Sequence, residues 1–256
     1  MSYQNFHYSA REYAPGLSEA QAERFQVSHL APQIPKNWAR SCCVDFGRKN
    51  FYVLFIAHDE RTDRHYVYAS YHDSHLSNPE RARELVALEP LLGFCVAGQI
   101  SEDHERAELA AGGLKAVAPM FKALWTGINN LAAAIKLNKF YVLDGACPGL
   151  VEQLRTYSRP VNELGEVELD ADPEDKETYH WIDPARYYGT HKFAALSTGS
   201  AEVGAPPEQN KSVGNTNTQG TAAASGSYGG TFGGNPFGSS GGTGGFLDVP
   251  GSGFLM

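Results

Sequence analysis

The chain has 256 residues, a formal net charge of −8 and a sequence pI near 5.6. That balance excludes a protein that grips nucleic acid over its whole surface by counterion release, but it is compatible with an enzyme that meets DNA in one local groove and whose acids are neutralised by metal. No apolar run approaches the roughly 18 residues needed to cross a bilayer and no signal-peptide core opens the chain, so no membrane association is expected.

Residues 1–37 are of mixed composition. Ser18, with Gln21 three residues on, has the pattern of a capping box and predicts a short helix within 18–26, before Pro32 and Pro35 break the chain. The segment reads as a lead-in or linker. Runs rich in Val, Phe, Tyr and Ile then follow at 41–46 and 51–58, separated by the turn residues Gly47-Arg48-Lys49-Asn50, and a third at 65–71 follows another polar turn. Three consecutive antiparallel strands are the simplest arrangement. Asn78-Pro79 suits the start of a helix over 80–88, and 92–100 reads as a mostly apolar, buried strand.

A helix over 104–111 stops at Gly112-Gly113, and 114–118 is a short strand candidate. Leu124, Ile128, Leu131 and Ile135 recur at helical spacing and predict a helix over 122–137 despite Gly127. A strand over 140–143, a helix over 148–157 and a last helix over 183–196 complete an α/β layout, a mixed sheet flanked by helices on both faces. From residue 197 Gly, Ser, Thr, Asn and Ala dominate and hold most of the 27 glycines. Such a segment buries too little apolar surface to offset its chain entropy, which predicts a disordered, flexible tail. The organisation expected is a lead-in over 1–37, one domain over 38–196 and a low-complexity tail over 197–256.

The four cysteines, Cys42, Cys43, Cys95 and Cys147, form no C-x-x-C pair and lie in apolar stretches. Buried free thiols and a reducing, cytoplasmic setting follow.

Three acids stand at or near element ends. Asp45 closes the first of the three antiparallel strands, Asp103 lies just past the strand over 92–100, and Asp183 precedes Pro184 at the start of the last helix. Each has a structural reading by itself, as a turn former or a helix cap. Together they are what a hard divalent cation requires, since Mg²⁺ takes oxygen ligands and keeps waters for substrate phosphates. His72-Asp73-Ser74-His75 reads as a polar loop, and the acids between Glu163 and Glu177 as a solvated one.

Taken in order, Trp38 through Val44-Asp45-Phe46-Gly47, then Glu102-Asp103-His104-Glu105-Arg106, then His180-x-x-Asp183-x-x-Arg186-Tyr187 resembles the C-terminal nuclease domain of tailed-phage terminase large subunits. The likeness spans about residues 38–188, with the segments around Lys122 and over 150–157 in support. It departs from the family at Tyr179, where an acid is usual, and at Pro184, which interrupts the helix of the last motif.

The resemblance implies an RNase H-like fold and a metal-dependent endonuclease that cuts concatemeric viral DNA during genome packaging. Asp45, Asp103 and Asp183 would then be both the catalytic acids and the ligands of one or two Mg²⁺ or Mn²⁺ ions. Double-stranded DNA is the implied substrate, and a separate packaging ATPase, the small terminase subunit and the portal are the implied partners, in host cytoplasm if the chain is phage-encoded. No G-x-x-x-x-G-K-[ST] loop occurs in the 256 residues, so no packaging ATPase is expected in this chain: either it is a separately encoded or truncated nuclease module, or the motor is another polypeptide. Two competing readings remain: a catalytically weak docking module of a packaging complex, and an RNase H-like resolvase-type nuclease.

Overall fold

A computed structural model describes residues 9–47, 50–120, 122–160, 162, 164 and 178–198. The tail expected over 197–256 falls, from residue 199 on, outside the described residues.

The three antiparallel strands form as the alternation and turn signals predict. They are β2 (Ala39–Phe46), β3 (Phe51–Asp59) and β4 (Arg64–Asp73), with β2 facing β3 from Ala39↔His58 to Phe46↔Phe51. Helix α3 (Asn78–Leu88) carries the chain across to β5 (Leu92–Ala97), which lies parallel to β2 on its other side. Its start is fixed by a capping box between Ser77 and Glu80, with Pro79 in the first turn where no amide partner is lost. With β1 (Phe25–Val27) at the edge, the sheet order is β1-β4-β3-β2-β5, and β6 (Phe140–Val142) pairs parallel to β4. Three antiparallel strands with a fourth laid parallel beside the first, flanked by helices, make an RNase H-like fold.

The core follows from the composition of β3. Phe51, Val53, Leu54, Phe55, Ile56 and Ala57 are all fully buried. A run apolar on consecutive residues must be covered on both faces, which places β3 inside the sheet. The four cysteines are buried free thiols. Between Phe55 and Ile56 the register with β4 slips, so that Tyr68 has no partner of its own, and this bulge lets the fully buried Tyr68 reach Glu89 with its hydroxyl at 3.0 Å.

Two sequence expectations change. The lead-in is, from residue 9, part of the folded unit: after α1 (Ala10–Tyr13) and α2 (Glu19–Ala22), residues Phe25–Val27 form β1, an antiparallel edge strand on β4. The Ser18 and Gln21 capping box is present, but the helix it starts lasts four residues before the chain turns into β1. Phe25, Val27 and Leu17 are buried, and Arg24 bonds Glu84 at 3.0 Å and stands 3.3 Å from Asp73. The strand expected over 114–118 reduces to a single parallel bridge, Val96↔Val117, because β5 turns away at Gly98 and Pro119 follows.

The remaining helices are α4 (Asp103–Ala111), α5 (Leu124–Lys136), α6 (Pro148–Thr156), α7 (Ile182–Lys192) and α8 (Ala194–Thr198). Gly127 of α5 explains how a glycine survives in a helix interior: a Cβ there would strike the Arg186 side chain and lie 3.3 Å from the Arg186 carbonyl. The close approach it permits sets α7 against the sheet.

Candidate metal centre

Asp45 sits one residue before the end of β2, with β3 and β5 on either side. Continuous pairing of β2 fixes its direction, and its carboxylate is 12% exposed. The Tyr187 hydroxyl donates to Oδ1 at 3.4 Å, and the Nδ1 of His180 stands 3.8 Å from Oδ2. His180 is held in turn by stacking on Tyr52, the cross-strand partner of Asp45, with ring centroids 5.1 Å apart and 11° between planes.

Asp183 is the second residue of α7. Pro184 does not displace the helix: it stands in the first turn, where its missing N–H would have had no intrahelical partner, and the helix begins at Ile182. Arg186, one turn on, donates Nε at 2.9 Å and Nη2 at 2.7 Å to Asp183 Oδ1. Both bonds fall on one oxygen. Burial pushes the Asp183 carboxyl above its ordinary range; Arg186 opposes that shift and the nearby negative charge of Asp45 adds to it. Helix α7 is anchored at its other end by Met120 N–H to Thr190 Oγ1 at 3.1 Å and by His191 Nε2 to the Ala118 carbonyl at 2.8 Å.

The third acid beside Asp45 is Glu102, which the sequence reading passed over in favour of its neighbour. Burial raises the Glu102 carboxyl; the Gln99 N–H that it accepts works against this, and the charge of Asp45 raises it again. Its place depends on Gly98, whose φ of +64° turns the chain out of β5 and whose N–H bonds the Val44 carbonyl at 2.9 Å. A Cβ at Gly98 would collide with both the Glu102 carboxylate and the Phe46 ring. Burial also raises the Tyr187 hydroxyl, and Asp183, Asp45 and Glu102 all push it the same way. One phenol therefore lies within electrostatic reach of all three carboxylates.

Asp103 is not brought to this group. Its side chain is 90% exposed and pairs with Arg106 at 2.6 Å. Arg106 is itself buried and donates to the carbonyls of Ala97 at 2.9 Å, Gln99 at 2.6 Å and Ile100 at 2.9 Å, fastening the turn between β5 and α4. The structure thus brings Asp45 and Asp183 together, with Glu102, and leaves Asp103 in solvent. His180, Arg186 and Tyr187 also belong to the cluster, and their signal was the His180-x-x-Asp183-x-x-Arg186-Tyr187 spacing.

Beyond Tyr52, a cavity of about 330 Å³ opens between Glu23, Arg24, Gln26, Ser70, His72 and Trp181. Tyr52 and Trp181 meet edge to face at 4.8 Å, and Trp181 is seated by its backbone N–H donating to Gln153 Oε1 at 2.9 Å and by the absence of a side chain at Gly149. Among the described residues no helix is long and apolar enough to cross a membrane.

Solved structures similar to this chain are large-terminase nuclease domains of phages. The domain from bacteriophage SPP1, solved with bound Mn, has a TM-score of 0.49 at 16% identity, covering 63% of this chain and 89% of that one. The P22 domain gives 0.46 at 16% identity, covering 66% and 89%. The domain from thermophilic phage G20c, solved with bound magnesium, gives 0.45 at 16% identity, covering 61% and 82%. No family model matches the sequence, and no curated protein matches it.

Proposed function

We propose that the chain is a divalent-metal-dependent endodeoxyribonuclease of the terminase large-subunit type, with Asp45, Glu102 and Asp183 as the acids of its metal centre. The observation that carries this is the gathering of carboxylates at one place: the Tyr187 hydroxyl donates to Asp45 Oδ1 at 3.4 Å, Asp183 stands one turn before Tyr187 on α7, and the turn at Gly98 sets Glu102 beside Phe46 at the end of β2; burial raises the Glu102 and Asp183 carboxyls, and the charge of Asp45 adds to both. Like charges gathered in a partly dry site cost free energy that a cation removes. The donors are carboxylate oxygens, the set that suits Mg²⁺ or Mn²⁺. When bound, such an ion supplies Lewis-acid activation of water and neutralises charge at the scissile phosphate.

The protein's own side chains fix the carboxylates. Tyr187 holds Asp45 from one side, while Arg186 takes both of its bonds to Asp183 on Oδ1 and so leaves Oδ2 for the cation. His180, clamped on Tyr52, stands where it can exchange a proton beside Asp45. Arg106 and Gly98 hold the turn that presents Glu102. Asp103, the acid singled out with Asp45 and Asp183 from the sequence, acts in this reading by steadying Arg106. Cutting of concatemeric viral DNA during packaging, beside a separate ATPase, the small terminase subunit and the portal, is the biological setting that the motif order supports.

The test is plasmid cleavage in Mg²⁺ or Mn²⁺. Asp45→Asn, Glu102→Gln and Asp183→Asn should each remove cleavage by about 100-fold or more, because each keeps its shape and loses the charge that holds the ion. Asp103→Asn should stay within about fivefold of the unmodified protein, because the Asp103 side chain is 90% exposed and the buried Arg106 keeps its three carbonyl acceptors without it. Full cleavage by Asp45→Asn would overturn the assignment of the metal centre, and absence of cleavage by the unmodified protein would favour the docking module. Loss in Asp103→Asn with activity kept in Glu102→Gln would reverse the assignment of the second acid.

A further inference from the structure

The sheet places a row of residues beside Asp45 that the metal centre does not use. Cross-strand partners share a face of the sheet, and the pairs Asp45↔Tyr52 and Tyr52↔His72 continue across β4 to Arg24, whose carbonyl accepts the His72 N–H at 3.0 Å. Neighbouring strands lie about 4.8 Å apart, so the backbone at His72 is about 10 Å from that at Asp45. The cavity of about 330 Å³ opens on this row, with the aromatic residues Tyr52, His72 and Trp181 and the polar residues Glu23, Gln26 and Ser70 in its lining. Tyr52 belongs to both sites. His180 stacks on it beside Asp45, while the rings of His72 and Trp181 stand 4.7 and 4.8 Å from it, centroid to centroid.

We propose that this cavity receives a single nucleobase of the substrate strand, taken out of the duplex stack a few positions from the phosphate held at the acids; the proposal rests on the nuclease reading. A base still paired and stacked cannot enter a concave site, and enzymes that draw one out seat it among aromatic side chains. Bases in a duplex strand follow one another at about 3.4 Å, so the roughly 10 Å from Asp45 to His72 spans about three positions.

The polar groups suit a base rather than a phosphate. Arg24 supplies the guanidinium among the lining residues, and it is already held by Glu84 at 3.0 Å and Asp73 at 3.3 Å. Glu23 beside it carries a negative charge that repels phosphate and accepts a hydrogen bond from an exocyclic amine such as N4 of cytosine. The Gln26 amide offers both a donor and an acceptor to a base edge. Glu23, Gln26 and His72 are exposed, within reach of an incoming strand, whereas Ser70 is buried and its hydroxyl donates to the Ala146 carbonyl at 2.7 Å. Trp181 is fixed by Gln153 and by its seat over Gly149, so this part of the wall is in place before DNA arrives. A site that must draw out a base favours cutting beside steps that are weakly paired, because there the unstacking costs least.

The test is photocrosslinking of the full-length Asp45→Asn protein in Mg²⁺ to duplexes of one sequence that carry a single 5-iodocytosine. The modified base is either paired with guanine or placed opposite a mismatched base, and crosslinked peptides are mapped by mass spectrometry. Crosslinks at Tyr52, His72 or Trp181 should be at least about fivefold more abundant with the unpaired base, and adding Gln26→Ala or Glu23→Ala should lower them at least about threefold. Both of these side chains are exposed, and the melting temperature checks each fold. Equal crosslinking of paired and unpaired bases, crosslinks confined to other residues, or undiminished yield in either folded variant would overturn the proposal. Plasmid cleavage by the unmodified protein separates the two readings: its absence, with the expected crosslinks present, would sink the nuclease and leave the cavity as the base site of a protein that binds DNA without cutting it.

Discussion

Glu102 and Asp103 are neighbours with opposite surroundings, and the contrast marks the limit of what residue types reveal. The direction of Asp45 was legible because an unbroken apolar strand fixes which way its last residues point, whereas Pro184, which reads in sequence as an interruption of the last helix, stands in its first turn and leaves Asp183 within it. Choosing between two adjacent acids depends instead on a loop. The positive φ of Gly98 and the three carbonyls gathered by Arg106 decide which carboxylate faces Asp45, and neither is visible in spacing. His65 shows the same dependence on surroundings in a form that titration reads. Its pKa falls from 6.5 to about 3 because burial penalises the imidazolium. A base with a depressed folded pKa supports the fold fully above the unfolded value, and that support is lost as pH falls toward the folded one. Metal-free protein in chelator should therefore lose stability between about pH 6.5 and pH 3, at up to about 1.4 kcal/mol per pH unit from this residue. His65→Asn, which keeps a polar atom near Tyr188 and cannot titrate there, should flatten that slope in urea unfolding at pH 7 and pH 5. An unchanged slope would mean that His65 is protonated in the folded chain.

At the scale of elements, strands and helices from residue 39 onward were readable because apolar periodicity and cap chemistry agree along most of the chain. The exceptions are short. Strand β1 has three residues, too few for alternation to register, and 114–118 has the composition of a strand but only one pairing partner within reach. Helix α5 was predicted through Gly127 on periodicity alone, and the reason for the glycine lies in another helix: Gly127 faces Arg186, and Gly189 of α7 in turn lies 3.5 Å from the Gly127 carbonyl at its own Cβ position. The contact between α5 and α7 thus sets the depth of Arg186, and through it the direction of Asp183. Gly127→Ala raises intrinsic helix propensity by about 1 kcal/mol, yet forces a Cβ into a buried side chain, a strain of about 1–3 kcal/mol. The net effect should be a destabilisation of up to about 2 kcal/mol in urea unfolding. Because the displaced group is the partner of Asp183, cleavage in Mg²⁺ should fall by about tenfold or more in the same variant. A more stable Gly127→Ala protein with full activity would show that α7 is positioned by other contacts.

For the whole molecule, the boundary drawn from sequence at residue 38 divides a single folded unit. Composition marked 1–37 as a linker because its apolar residues are sparse and two prolines follow them. In the structure those few apolar residues are the ones that matter: Leu17, Phe25 and Val27 are each buried, and Phe25 packs on Tyr71 at 4.7 Å and on Phe55 at 6.1 Å. Polar anchors accompany them. The Tyr13 hydroxyl donates to Glu89 at 2.9 Å, beside the buried Tyr68, and Arg24 reaches the buried carboxylates of Glu84 and Asp73. At about 1.5–3 kcal/mol for each buried apolar side chain, the three together contribute roughly 5–9 kcal/mol of transfer free energy, comparable with the 5–15 kcal/mol net stability of a typical domain. Removing the segment also uncovers the edge of β4 at residues 69–71 and leaves Glu84 and Asp73 without the Arg24 guanidinium. A chain beginning at residue 38 should therefore be aggregated, or melt more than about 10 °C below the full chain, with cleavage lost alongside the fold. If that shortened protein were soluble and melted within a few degrees of the full chain, residues 9–37 would be an attached segment after all, and the domain would begin where composition alone placed it.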